Sequence, residues 1–218
     1  MNEYLLDLIE RMDCRDELPK PTDGPIIERL VERTVSTEAW KELRIIDDAS
    51  LIQPMCDILG TNNQKVHVFD NGVKILGYLI KNTSSSEGRD FLASLFDRKN
   101  LKNNRLTSLL FASEIASLHE ARDRVMLLLT KEDYGVLSYA SDYLVGIKDK
   151  KGIAKISELI CDKKLGVSEV INIGNIGEKW VIPLLKKIIS ARSNSKKQAD
   201  TDCVAYSWGA IREIEKLD

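Results

Sequence analysis

Two stretches of this 218-residue chain share one pattern of hydrophobic and polar positions, offset by 29 residues. In each stretch, two aliphatic residues three positions apart close a helical segment, an acidic residue follows, and a new aliphatic face begins. The matched positions are Leu144, Ile147, Asp149, Ile153 and Ile156 in the first stretch and Ile173, Ile176, Glu178, Ile182 and Leu185 in the second. A fixed offset that holds through a helix, a turn and the next helix is typical of stacked helix pairs.

The same template extends over most of the chain. Its aliphatic anchor recurs at Leu43, Leu76, Ile115, Leu144, Ile173 and Ile211. Four anchors are followed five residues later by an acid, which is expected to cap the next helix and meet the positive end of its dipole. These acids are Asp48, Glu120, Asp149 and Glu178. Longer spacings coincide with polar inserts at 81–88, 98–104 and 193–202, which predict loops at an edge of the stack.

Residues 1–36 lack the template and are predicted to form an N-terminal helical cap on a repeat array of residues 37–218, within a single domain. Apolar spacing predicts one helix over residues 3–17 and a second from Pro25 to Val35, with prolines breaking the chain between them. A strand is the alternative for residues 170–176, where apolar residues alternate. The matched stretch at 139–147 lacks that alternation and favours helix, which leaves Val66–Phe69 with short strand character.

The segment from Ile173 to Ile189 resembles the join between consecutive HEAT repeats. It has a glycine before an acidic turn and then an aliphatic–proline–aliphatic helix start at Ile182, Pro183 and Leu184. The period of about 30 residues is similar to that of the short HEAT-like repeats of phycobilisome lyases. The resemblance implies an all-α fold, a right-handed α–α superhelix of about five helix pairs with an N-terminal helical cap.

Composition indicates a soluble, cytoplasmic chain of bacterial type. The formal net charge is -2, 30% of the residues are charged, and the acidic start does not read as a signal peptide. No apolar run has the length of a membrane span. The four cysteines are far apart in helical segments and are expected to be free, buried thiols.

Catalytic motifs are scarce, so the chain is expected to be a binding protein rather than an enzyme. The sequence has two histidines, His67 and His119, and neither a nucleophile elbow nor a phosphate-binding loop. The deoxyhypusine hydroxylases resemble this architecture but bind two irons through several His-Glu pairs, and this chain has one, His119-Glu120. No catalytic residue, metal or cofactor is therefore predicted. The resemblance keeps a bilin-lyase-like enzyme open as an alternative.

Charge is distributed unevenly along the chain. Residues 1–60 contain 14 acidic and 7 basic residues, whereas residues 148–197 contain 12 basic and 5 acidic residues. The basic half could neutralise phosphates, and alkylpurine DNA glycosylases also use a HEAT-like superhelix. Solvated lysines near helix ends explain the same pattern, so nucleic-acid binding is kept as the alternative function.

The surface lined by the second helix of each pair is the predicted functional site. Equivalent positions turned away from the core carry different side chains there. Tyr139, Tyr143, Tyr206 and Trp208 add tyrosine and tryptophan, which are enriched at recognition hot spots. The predicted partner-binding residues are Glu114, Tyr139, Tyr143, Asn172, Asn175 and Trp208. Packing inside the array is the alternative role for Tyr143 and Trp208. The predicted function is a non-catalytic scaffold or adaptor for a protein partner, including an inhibitor or an immunity-type protein, with its oligomeric state open.

Overall fold

A computed structural model describes residues 2–13, 35–61, 65–99 and 101–217. Within these ranges the structure is built from α-helices joined by short turns, and no described residue lies in a strand. The helices are α1 Glu3–Asp13, α2 Val35–Ile45, α3 Ile52–Gly60, α4 Val66–Thr83, α5 Ser86–Ser94, α6 Asn103–Ile115, α7 Arg122–Leu128, α8 Tyr134–Gly146, α9 Lys150–Cys161, α10 Val167–Asn175, α11 Ile182–Arg192 and α12 Gln198–Glu215. The all-helical fold class is thereby confirmed, while the superhelical arrangement stays a prediction.

The chain forms two compact units, residues 1–116 and 117–218. The first helix predicted for the N-terminal cap is present as α1, and it buries Leu5, Leu8, Ile9 and Met12. The second predicted helix of the cap lies outside the described residues except for Val35.

In the first unit, α4 is the central helix and packs against α1, α2, α3, α5 and α6. Its sequence is apolar around most of its circumference, as expected for a helix surrounded by others. The closest approach is between α4 and α6, where a Cβ atom built on Gly77 would lie 2.7 Å from the carbonyl oxygen of Ala112. The glycine therefore sets the distance between these two helices.

The second unit contains α7 to α12. Helix α10 packs against both α8 and α12, and α11 packs against both α9 and α12. Consecutive helices of each pair also contact one another, as the template predicts. All six anchors lie in even-numbered helices, and five of them are buried, while Ile115 is half-buried.

The acids after the anchors cap helices at two of the four predicted places. Asp48 Oδ1 accepts a hydrogen bond from the backbone N–H two residues later (2.9 Å), and Asp149 Oδ1 accepts one from the backbone three residues later (2.6 Å). The prediction is wrong for Glu120 and Glu178, since no side-chain cap is formed at either helix start. Glu178 instead accepts a hydrogen bond from the indole N–H of Trp180 (2.8 Å).

The strand alternatives are wrong, and helices extend into all three predicted loops. Helix α6 begins at Asn103, inside the loop predicted at 98–104, and α12 begins at Gln198, inside the loop predicted at 193–202. Val66–Phe69 forms the first turn of α4, and residues 170–175 belong to α10. The insert at 81–88 is taken up by the neighbouring helices, because α4 continues to Thr83 and α5 begins at Ser86. Ser84 makes this sharp turn with a left-handed backbone, φ 56°.

Three of the four cysteines lie in the described residues, and all three are free thiols, as predicted. Cys56 and Cys203 are buried and Cys161 is half-buried. Burial raises the pKa of Cys56 to about 11, so this thiol is not activated as a nucleophile at neutral pH. Among the described helices, none is both long enough and apolar enough to cross a membrane.

Candidate functional site

The candidate site is the outer surface of α8, α10 and the adjoining side of α12, here called the tyrosine face. It consists of Tyr134, Ser138, Tyr139, Asp142, Asn172, Asn175 and Tyr206. Helix α10 contacts both of the other helices. Tyr134, Tyr139 and Tyr206 are 56%, 39% and 51% exposed. Rings of this kind bury a large apolar area in an interface and keep a polar hydroxyl.

Helix α8 is buried along one side, and this determines which of its residues lie on the tyrosine face. Asp133 caps its start by accepting a hydrogen bond from the backbone N–H of Val136 (2.9 Å). Val136, Ala140 and Leu144, at helical spacing, are then fully buried. Tyr139 is turned about 100° from Ala140 around the helix axis, and its ring is exposed.

Hydrogen bonds between α8 and α10 fix the polar groups of the face. The Ser138 hydroxyl donates to Glu169 Oε1 (2.8 Å), and the side-chain amide of Asn172 donates to Asp142 Oδ1 (2.7 Å). Glu169 Oε2 accepts a hydrogen bond from the backbone N–H of Gly166 (2.9 Å), where α10 starts. Glu169 itself is fully buried, so its carboxylate fixes the Ser138 side chain without being exposed on the face.

The electrostatics of the face are dominated by two neighbouring carboxylates. Burial, and next the negative charge of Glu169, raise the pKa of Asp142 above its ordinary value, although the hydrogen bond from Asn172 acts in the opposite direction. Burial and the same two carboxylates raise the pKa of Tyr134. The charge on Asp142 therefore opposes folding at neutral pH.

Replacing Asp142 by asparagine is expected to stabilise the protein at pH 7. A carboxyl group whose pKa is raised by folding destabilises the fold above that folded pKa, and the penalty disappears as the pH falls towards the unfolded pKa of about 3.9. The amide oxygen of asparagine can still accept the hydrogen bond from Asn172. Urea unfolding should therefore show a gain at pH 7 that shrinks at pH 4, and an equal gain at both values would contradict the origin assigned to it.

Tyr143, predicted to contact a partner, is not on the tyrosine face. Its side chain is fully buried, and its hydroxyl donates a hydrogen bond to the backbone carbonyl of Leu118. The outward orientation inferred from the repeat offset is therefore wrong, and the packing alternative is the correct one. Asp142, the preceding residue, lies beside Asn172 instead.

Substituting Tyr143 by phenylalanine is expected to cost about 1–3 kcal/mol of unfolding free energy, because the buried carbonyl of Leu118 loses its donor. The ring itself still fills the same space. Partner binding by the tyrosine face should stay unchanged, since the hydroxyl is inside the unit. Chemical unfolding measures the first effect, and a cost below about 0.5 kcal/mol would show that this hydrogen bond contributes little.

Two other predicted residues are not among those of the tyrosine face. Glu114 is half-buried near the end of α6, in the first unit. Trp208 is 44% exposed on α12, but Ala210 of that helix faces α10, where a Cβ on Gly174 would lie 2.7 Å from the Ala210 Cβ. Two residues correspond to about 200° of rotation, so Trp208 points away from α10. Tyr206 lies one turn before Ala210 and so shares its side.

Three residues of the tyrosine face, Tyr134, Ser138 and Asp142, were missed by the sequence analysis, as was the buried Glu169 that holds Ser138. Tyr134 is the first residue of α8, and the template has no anchor residue there from which its orientation could be predicted. A hydrogen bond joins Ser138 to Glu169, 31 positions later in the sequence, and another joins Asp142 to Asn172, 30 positions later. Both offsets are close to the 29-residue repeat, so pairing each polar residue with its counterpart one repeat later could have found these residues.

The basic residues of 148–197 are extensively engaged with carboxylates. Lys148 contacts Glu178 (2.7 Å), Lys155 contacts Glu158 (3.0 Å), and Lys163 contacts Asp200 (2.9 Å). These contacts lower the positive charge that the segment can offer to phosphates. The count of basic residues therefore overstates the charge of this surface.

The described residues contain no group of three or more histidine, cysteine, aspartate or glutamate side chains placed to hold a metal ion. The two histidines lie in different units, and the Nε2 atom of His67 is hydrogen-bonded to Glu10 Oε1 (3.1 Å). The tyrosine face combines exposed rings with oriented hydrogen-bonding groups, which is the chemistry of recognition.

Compared with models of known protein families and with curated proteins, this sequence gives no match.

Proposed function

We propose that this protein is a non-catalytic protein-binding module whose partner docks on the tyrosine face of the second unit. The observation that carries the proposal is that tyrosines of α8 and α12, the two helices that contact α10, are exposed, while hydrogen bonds between α8 and α10 hold polar groups in place. Tyrosine contributes large contact area with few rotatable bonds, so little entropy is lost when it is immobilised. Fixed polar neighbours then define which partner groups fit.

The charge of Asp142 gives separate support. Its carboxylate is held close to that of Glu169 at a cost to stability, and local costs of this kind are concentrated at functional sites. Within the same proposal, the helix pairs stack as a right-handed α–α superhelix of HEAT-like type. The module would act in the cytoplasm as a scaffold, adaptor or inhibitor, an immunity-type protein being one form of the last.

Capture from a native lysate, followed by measurement with the purified partner, tests the proposal. Tyr139→Ala and Tyr206→Ala should each weaken the Kd for the captured protein by about 30-fold if they lie at the interface centre. Trp208→Ala is the matched control, because this exposed ring is on the same helix as Tyr206 but points away from α10. It should change the Kd by less than about twofold.

Several outcomes would overturn the proposal. One is a captured partner that all three variants bind with the same Kd. Another is the absence of a protein partner together with binding of duplex DNA that falls steeply with salt. Visible absorption on mixing with a tetrapyrrole would favour a bilin-lyase-like protein. Base release from alkylated DNA would favour a glycosylase.

A further inference from the structure

An open cleft of about 620 Å³ lies in the first unit between α1 and α3, with α4 at its base. Helices α1 and α3 each pack on α4, and the lining residues come from all three helices. Its volume falls within the range of about 300–1,000 Å³ that is usual for binding pockets. The cleft is independent of the tyrosine face, which belongs to the other unit.

The shape of the cleft is elongated along its two walls. On α1 the lining residues run from Asn2 through Leu6 to Glu10, and on α3 they run from Pro54 to Thr61. At 1.5 Å per residue these walls are about 12 Å and 10 Å long. A groove of this length between two helices matches about two turns of a third helix.

The cleft has an apolar lining with an acidic residue on each wall. Leu6, Pro54, Ile58 and Val68 supply the apolar lining, and Glu10 lies on the α1 wall and Asp57 on the α3 wall. Both carboxylates are held in position: Glu10 Oε1 lies 3.1 Å from the Nε2 atom of His67, and Asp57 Oδ1 accepts a hydrogen bond from the Gln53 amide (2.7 Å). Lys65, which lines the cleft together with Thr61, adds one positive charge.

The surroundings of the cleft are also negative. Among residues 2–13 and 35–61, nine are acidic and three are basic. Arg11 is already paired with Asp7 and Glu42, both at 2.8 Å, and Lys41 is paired with Glu38 at 3.1 Å. The field over this surface therefore attracts cationic partners and repels acidic ones.

We infer that this cleft, bounded by Glu10 and Asp57, is a docking site for a basic amphipathic helix of a partner protein. The apolar stripe of that helix lies on Leu6, Ile58 and Val68, and its lysine or arginine side chains reach the two carboxylates. This mode of recognition places anchors at i, i+3 or i+4, and i+7 of the bound helix. The inference does not depend on the function proposed for the tyrosine face.

Selection of a displayed library of helical peptides on the full chain tests the inference. Enriched peptides should carry an apolar stripe at helical spacing and a net positive charge. The tightest peptide should shift the methyl signals of Leu6, Ile58 and Val68 in NMR spectra. Its Kd should weaken about tenfold in Asp57→Lys at low salt, with a smaller difference at high salt.

Glu215→Lys is the matched control, because it makes the same charge reversal at an exposed position of α12 in the second unit. It should leave the Kd within about twofold, and Tyr139→Ala should do the same. The inference is overturned if no peptide is enriched, if neutral or acidic peptides are enriched, or if the methyl shifts fall elsewhere. Concentration-dependent self-association that Asp57→Lys abolishes would assign the cleft to a second copy of the chain instead.

Discussion

Replacement of Arg192 by methionine is expected to lower the free energy of unfolding by about 3–5 kcal/mol, because it leaves a buried aspartate without its buried cationic partner. Arg192 is 4% exposed, and its guanidinium pairs with Asp200, which is 2% exposed. The same guanidinium donates to the carbonyls of Ile160 (2.8 Å) and Leu165 (3.0 Å), where α9 ends. One side chain thus joins α9, α11 and α12, and methionine fills the space without supplying any donor.

Lys163→Met provides the matched control for Arg192→Met. Lys163 bonds the other oxygen of Asp200 (2.9 Å), but its own side chain is half exposed, so its removal should cost less than about 1 kcal/mol. Arg192→Met/Asp200→Leu should recover part of the loss, since both buried charges are then gone. Urea unfolding measures the free energy of unfolding of Arg192→Met, of Lys163→Met and of the double variant. Equal costs for the two single variants would show that burial does not decide the strength of this network.

Substituting Gly77 by alanine is expected to destabilise the protein by about 1–3 kcal/mol, although alanine is the better helix former. The new Cβ would lie 2.7 Å from the carbonyl oxygen and 3.0 Å from the Cα of Ala112. Both atoms belong to the backbone of α6, so relief requires a shift of the whole helix. Melting temperature and urea midpoint should both fall.

Gly209→Ala is the control for Gly77→Ala. Gly209 also lies inside a helix, α12, but a Cβ there would meet no atom within 4 Å. Its replacement should stabilise the protein by about 0.5–1 kcal/mol through helix propensity alone. If Gly77→Ala were also stabilising, the close approach of α4 and α6 would not be a constraint on the fold.

The two proposed surfaces differ in how they would contribute to binding. The tyrosine face offers rigid rings and fixed hydrogen-bonding groups, so its substitutions should act mainly on the dissociation rate. The cleft is bounded by carboxylates in a negative field, so Asp57→Lys should also slow association at low salt. Measuring both rates for Tyr139→Ala and Asp57→Lys would separate these contributions.

Local sequence specified part of the helix pattern of the second unit. The anchors Leu144 and Ile173 and the cap at Asp149 could be identified because apolar spacing and capping depend on neighbours within one or two turns. The same reasoning located the start of α11 at Ile182. It failed at Val66–Phe69, because four apolar residues fit a strand or a buried helix equally well.

Long-range packing decided which side chains form the site. Tyr139 and Tyr143 are one helical turn apart, yet one is exposed and the other is buried, because only the second points at the turn that contains Leu118. Periodicity gives the orientation of a residue about its own helix axis, but exposure depends on where the neighbouring helices lie. The tyrosine face and the cleft both join residues from three helices, so the distances that define them arise only when the chain is folded.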